Sequence, residues 1–333
     1  MIPKFVRMLI VLCTSVCSLA FAEQVPRALF VYNLSDTPHS FSQFTEATGI
    51  DVEVLRGDSI EQIKIDNPES ANPDLVIESD AINFAELAQK NLLSTIQSNI
   101  IAENIPAQFR DLNSGWVGYG FRGRALAYNP KKYTPPSDIT YAELAKPEYE
   151  GQLCLRKSTY SYSRALIASI IHAEGFDRAF TIIKGWVANN KQPIFKGDMY
   201  ALKALEKGTC GIAFVNSDYF EKYVSKSITD LKLIWPDQND RGVHVNVSGL
   251  ALLKESQQKE IAVQFLEFLA QDEEMHLSFS VIKRSFPTNL KYYQQSEAGR
   301  FFGPIKWDPT PLSEIIKLDE TSQKLAKDAG YLP

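Results

Sequence analysis

The chain has few of the residue patterns that mark the common enzyme and metalloprotein classes. Its four histidines (His39, His172, His244, His276) are scattered, with no His-Glu-x-x-His, and there is no Cys-x-x-Cys, so the ligand spacings of a zinc site are missing. No Gly-x-Ser-x-Gly and no Walker A pattern occurs, and the glycines of GYGFRGR lead into no helix, unlike a dinucleotide-binding loop. There is no basic excess: 35 Lys and Arg against 40 Asp and Glu give a net charge of −5, which argues against nucleic acid as a partner. Beyond the first residues no long apolar run appears, so no membrane span is expected.

The start of the chain reads as an export signal. Lys4 and Arg7 precede the apolar MLIVLCTSVCSLAFA, and Ala20-Phe21-Ala22 fits a small-x-small cleavage site. The apolar stretch is short for a bilayer, which needs about 20 residues. Cys17 as a lipidation site is disfavoured because Thr14-Ser15-Val16 lacks the usual leucine. Residues 1–22 are therefore expected to be removed, leaving a soluble chain of about 310 residues, long enough for two lobes. Losing two bases takes the charge to −7. Cys13 and Cys17 leave with the signal. Cys154 and Cys210 remain, and an oxidising compartment favours one disulfide over two buried thiols.

Strand and helix patterns alternate along the chain, which indicates an α/β architecture. RALFVYNL, IDVEVLRG and DLVIES read as strands, separated by a helix ending at Gly49 and by SIEQIKID. GWVGYGFRGRALAYNP reads as two consecutive strands, TYAELAKPEYEG as a short helix, and QLCLRK, PIFKG, GIAFV, LKLIWP and VNVSGLALLK as further strands. Helices are expected in STYSYSRALIASIIHAEG, FDRAFTIIKGWVANN and DMYALKALEKG, and through most of the last third.

The chemistry that remains is that of hard oxygen donors. A small trivalent cation such as ferric ion prefers anionic oxygen, and a bound cation favours the deprotonated form of a phenol, whose unperturbed pKa is about 10. Tyr219 follows the apolar run GIAFV and a polar Asn216-Ser217 turn, where its side chain can reach a cleft at strand ends. Taken alone, its spacing favours an ordinary half-buried tyrosine. Asp218 beside it supplies a carboxylate or caps a helix start.

Three blocks, GWVGYGFRGRALAYNP, KPEYEGQLCLRKSTYSYSRALIAS and DQNDRGVHVNVSGLALLK, resemble the periplasmic ferric-iron-binding proteins of ABC transporters, in the branch with a tyrosine-rich site. The likeness covers essentially the whole mature chain. It implies a type II periplasmic-binding-protein fold, with lobes at 23–120 plus 245–288 and 121–244 plus 289–333. GWVGYGFRGRALAYNP and VNVSGLALLK would cross between the lobes, and the ligand cleft would lie between them. By the same resemblance Tyr162 matches the tyrosine of an xYNQSL-like segment, with Tyr160 its neighbour and competitor, and Tyr219 matches the second of two consecutive tyrosines. Asp218 stands in place of the first, a departure that shortens the donor.

The first lobe would add one or two donors from the loop YNLSDTPHSF, with His39 and Asp36 the candidates and Tyr32 just before them. That segment also resembles the YNWSD opening of polyamine-binding proteins, which keeps an organic cation as an alternative ligand. Asp80 matches an acid after a core strand, and Glu78 shares its strand face. Ser158, Thr159 and Ser161 sit at a helix start suited to a synergistic anion, capping by Ser158 or Thr159 being the simpler role. Arg156, Arg122 and Arg124 are cations that would lie just behind the ligands. Arg241, Gly242 and His244 read as hinge and structural residues, with Asn246 and Ser248 satisfying backbone near the cleft. The resemblance implies a non-enzymatic, monomeric carrier of Fe(3+) that docks on an ABC permease with its ATPase. It also raises the expectation of a Cys154–Cys210 bridge.

Overall fold

A computed structural model describes residues 28–35, 40–66 and 72–331. The export signal and the loop residues Asp36 and His39 lie outside the described residues. The strands are β1 (Leu29–Asn33), β2 (Val52–Arg56), β3 (Leu75–Glu78), β4 (Arg110–Asp111), β5 (Trp116–Tyr128), β6 (Leu153–Cys154), β7 (Ile212–Asn216), β8 (Lys232–Ile234), β9 (Val245–Leu252) and β10 (Phe286–Pro287). The helices are α1 (Ser42–Thr48), α2 (Ile60–Asp66), α3 (Ala81–Gln89), α4 (Asn99–Asn104), α5 (Ser161–Glu174), α6 (Phe176–Asn189), α7 (Asp198–Glu206), α8 (Ser217–Val224), α9 (Lys259–Gln271), α10 (Glu273–Lys283), α11 (Glu297–Phe302), α12 (Leu312–Ile315) and α13 (Asp319–Asp328).

The strand order is β2-β1-β3-β9-β5-β7-β6, with β4, β8 and β10 also paired to β5. β1 runs parallel to β2 and β3, β6 runs parallel to β7, and β9 and β5 are antiparallel to their neighbours. β5 organises the molecule. It pairs with β9 as far as Gly123, then with β7 from Arg124 onward, so one strand serves two sheets. Its register shifts between Gly118 and Gly120, which absorbs the bend within a single strand. The expected pair of strands is therefore one strand of 13 residues, with every residue from Trp116 to Ala127 buried. Its glycines have the G-x-G-x-x-G spacing but lie inside the sheet and bind no helix N-terminus. They permit close approach instead: a Cβ on Gly249 of β9 would lie 2.0 Å from the Val117 carbonyl oxygen, and one on Gly123 would lie 2.5 Å from the Trp235 ring.

Each half has its own aromatic packing. Phe41 and Phe44 both meet Phe265 edge-on with centroids 5.0 Å apart, and Phe84 stacks on Trp116. In the other half Trp186 packs on Phe214, and its indole N–H donates to the Tyr141 carbonyl at 2.9 Å. Gly49 ends α1 in the left-handed conformation, φ 73°, as the sequence suggested.

Several local expectations are corrected. QLCLRK contributes only two strand residues and PIFKG a single bridge, Phe195 to Arg156. TYAELAKPEYEG forms two 3₁₀ turns, Glu143–Ala145 and Pro147–Tyr149, because a proline inside the segment cannot continue an α-helix. The polar turn expected at Asn216-Ser217 is a direct strand-to-helix junction, β7 into α8. Cys154 and Cys210 form a disulfide closing a separation of 56 residues. No described helix is long and apolar enough to cross a membrane.

Candidate metal-binding cleft

Tyr162 is the second residue of α5, and Asp218 and Tyr219 lie in the first turn of α8. Neither helix start has a side-chain cap: Tyr160 and Asn216 occupy the cap positions without such a bond. The positive ends of both helices favour nearby anions, and at α8 the Asp218 and Tyr219 N–H groups act on the Asp218 carboxylate. The cap position of α5 falls on Tyr160 and not on Ser158 or Thr159. The buried Ser158 hydroxyl donates to the Tyr331 carbonyl at 2.9 Å, so its hydrogen points to the C-terminal segment and not to a cleft anion. Asp218 is not the capping residue either, and its Oδ1 is buried without a hydrogen-bonding partner.

Arg122 of β5 is the centre of the arrangement. It is 3 % exposed and donates to the Ser248 hydroxyl at 2.7 Å, to the Tyr162 phenol oxygen at 3.0 Å and to the Ser79 carbonyl. Its guanidinium lies 4.7 Å from the Tyr162 ring centroid. The arginine thereby touches both halves, β3–α3 on one side and α5 on the other. Burial weakens its charged form, but Tyr162, Asp218, Asp80 and Tyr219 all act on it in the opposite sense and carry its pKa above the ordinary arginine value. Ser248 thus serves this side chain and not the backbone. Asn246 does serve the backbone, its Oδ1 accepting from the Ala81 and Val247 N–H groups at 2.9 and 2.8 Å.

Asp80 faces the same point from the first half. It caps α3, with Oδ1 accepting from the Ile82 N–H at 2.9 Å, while Oδ2 is buried and unpartnered. Burial raises the Asp80 and Asp218 carboxyls above the usual range, against the pull of Arg122. It likewise raises the phenols of Tyr162 and Tyr219. Four acidic groups are thus held where their ionised forms are disfavoured, and a cation is what would reverse that. Glu78 bonds Asn83 Nδ2 at 2.9 Å, and burial pushes it up to about 7.

Arg156 and Arg124 lie behind the ligand-bearing residues. Arg156 Nη1 and Arg124 Nη1 each reach Asp198 at 2.7 Å, on different carboxylate oxygens, and the Asn216 N–H donates to Asp198 Oδ2 at 2.8 Å. The Arg156 guanidinium stands 4.7 Å from the Tyr160 ring and 5.3 Å from the Tyr162 ring. Tyr160 is 41 % exposed and carries no contact with the central arginine among the described bonds. Tyr32 is fully buried in the core of the first half. Arg241 bonds the Ser169 carbonyl and Asp308, Gly242 has φ 96° against the Trp307 backbone, and burial holds His244 neutral with a pKa of about 3.

Asp198 escaped the sequence reading, which gave it only a helix start. The signal was present: three arginines, Arg122, Arg124 and Arg156, sit in the largely apolar strand contexts GFRGRAL and LCLRKS, and buried arginines require a buried acid. Among the described residues no group of three or more His, Cys, Asp and Glu comes together as a metal cluster. The acidic groups that act on Arg122 are phenols and carboxylates.

Residues 32–276 match the bacterial extracellular solute-binding protein family, and the chain belongs to it. This is a family of binding proteins and not of enzymes. Similar proteins include Iron uptake protein A1 of Synechocystis, 28 % identical over 300 residues, which span 87 % of this chain and 83 % of that protein. Another is the Major ferric iron-binding protein of Neisseria meningitidis serogroup B, 28 % identical over 258 residues, 74 % of this chain and 75 % of that one. Among solved structures, Trichodesmium IdiA (FutA) in complex with iron and citrate ligands superposes with a TM-score of 0.83 at 29 % identity, covering 91 % of this chain and 99 % of the other. The fold is that of the α/β periplasmic binding proteins.

Proposed function

We propose that this chain is the periplasmic binding component of an ABC importer and carries ferric iron between its two lobes, 23–120 plus 245–288 and 121–244 plus 289–333. Tyr162, Tyr219 and Asp218 bind the metal from one lobe as two phenolates and a carboxylate. Asp80 stands opposite them beside Ser79, and Asp36 and His39 are the candidates for the remaining positions. Closure of the lobes selects the form recognised by the permease and its ATPase. The chain is exported and its signal removed near Ala22.

The observation that carries this reading is a buried arginine bonded to the Tyr162 phenol, whose charge is felt by Tyr219, Asp218 and Asp80, with one oxygen of each carboxylate buried and unpaired. Hard anionic oxygens without a zinc-type ligand fit a trivalent cation, and the relatives named above are iron proteins by name. The citrate in the Trichodesmium complex supports a synergistic anion. Because phenol and carboxyl must lose protons, acidification weakens binding.

Adding ferric citrate to the metal-free protein is expected to produce a visible phenolate-to-iron band. Tyr162→Phe and Tyr219→Phe should each weaken iron binding by about a hundredfold, the loss of one charged ligand at roughly 1.4 kcal/mol per decade. No colour with ferric salt, together with saturable binding of a polyamine, would replace iron by an organic cation. Full affinity in both phenylalanine variants would move the site elsewhere.

A further inference from the structure

We propose that Asp198 is a positioning residue that keeps Arg124 and Arg156 out of the cation site. This rests on the ferric reading and deepens it.

Arg122 and Arg156 both stand against the Tyr162 ring, and an arginine free to pair with the candidate ligands would compete with a bound cation. Arg122 already bonds the Tyr162 oxygen and is held by Ser248 and the Ser79 carbonyl, so the competition that remains to be prevented is that of the arginines behind it. Arg156 is the one able to collapse inward. Its guanidinium already lies 5.3 Å from the Tyr162 ring, and Asp218 Oδ1 has no partner of its own.

Asp198 prevents that pairing. It is the first residue of α7, 2 % exposed, and its two oxygens are divided between the two arginines at 2.7 Å each. Arg124 Nη1 also bonds Asn216 Oδ1 at 3.0 Å, and Asp198 Oδ2 holds the Asn216 N–H at 2.8 Å, immediately before Ser217-Asp218-Tyr219. One carboxylate therefore anchors the start of α8, fixes a residue of the shared strand β5 and holds Arg156 where its guanidinium lies 4.7 Å from the Tyr160 ring and 5.3 Å from the Tyr162 ring. Burial opposes its ionisation, but Arg124, Arg156 and the Asn216 N–H outweigh burial and keep it charged below the ordinary aspartate range.

The test uses the mature chain freed of metal, with iron affinity measured by competition against citrate and folding followed separately by thermal melting. Asp198→Asn is expected to bind ferric iron at least about tenfold more weakly, near 1.4 kcal/mol. At saturating iron its band should keep the wild-type maximum, because the ligands themselves are unchanged. Arg156→Gln added to Asp198→Asn should recover affinity to within about threefold of wild type, by removing the freed cation. A role limited to shaping α8 predicts a displaced band and no recovery of affinity, and that result overturns the proposal. Unaltered affinity in folded Asp198→Asn overturns it too. If Asp198→Asn does not fold, Arg156→Gln alone decides: iron binding within about threefold of wild type or tighter agrees with sequestration, and weakening of about tenfold refutes it. Absence of any iron band in the wild type would instead remove the ferric reading itself.

Discussion

The two walls of the cleft are built differently. The wall from α5, α7 and α8 is tied together by a carboxylate shared between two arginines, by a disulfide and by two uncapped helix starts that carry the phenols. The wall from β3 and α3 contributes a backbone carbonyl at Ser79, one helix-capping aspartate and a glutamate held by Asn83. The first is held by bonds among its own side chains. The second offers few fixed donors. A cation would therefore meet the preformed wall first, and the other would close over it, which places most of the ordering on one side.

That asymmetry can be challenged in order of expected effect. Opening the Cys154–Cys210 bridge with reductant, or replacing both cysteines with alanine, should cost about 4 kcal/mol from the chain-entropy relation for a loop of this length. Urea unfolding of the oxidised and reduced protein measures it. An unchanged midpoint would mean that the tied wall owes nothing to the bridge.

On the opposite wall, Glu78 is pushed up to about 7 by burial. A carboxyl raised in the folded state binds more protons there than in the unfolded chain, so stability falls as pH rises from about 4.5 through 7. Glu78→Gln should make that decline shallower and add about 1–3 kcal/mol at pH 8, the other buried carboxyls keeping the remainder. Melting curves across that range decide the point, and a wild-type stability flat between pH 5 and 8 contradicts it.

The smallest effect concerns the ion pairs that span the walls, Arg164–Glu86 at 2.7 Å and Arg284–Glu221 at 3.0 Å. Both are partly solvated, so Glu86→Gln should change the iron affinity by less than about fivefold, the limit of about 1 kcal/mol for exposed pairs. A larger loss would show that closure depends on surface charge more than on the metal.

Much of the fold was legible because its signals are local. The α/β alternation, Gly49 ending α1, and GIAFV as a buried strand follow from periodicity and chain punctuation alone. The cleft was legible only in part. Tyr162, Tyr219 and Asp218 could be named from a resemblance, and the structure brings all three to the environment of Arg122. The hub of that environment could not be read from spacing, because Asp198, Arg124 and Arg156 come from three separate elements and meet only through burial. Strand lengths failed for the same reason. Whether QLCLRK pairs over two residues or six depends on its neighbours across the sheet.

The 13-residue strand β5 also limits how the protein can be taken apart. Its first eight residues complete one sheet and its last five another, so no cut in the backbone yields two pieces that each keep all their own strands. Expressing either half alone should leave an exposed sheet edge prone to self-association. Any motion of one half against the other must therefore be carried within β5 itself, and the protein is inherited, folded and lost as one.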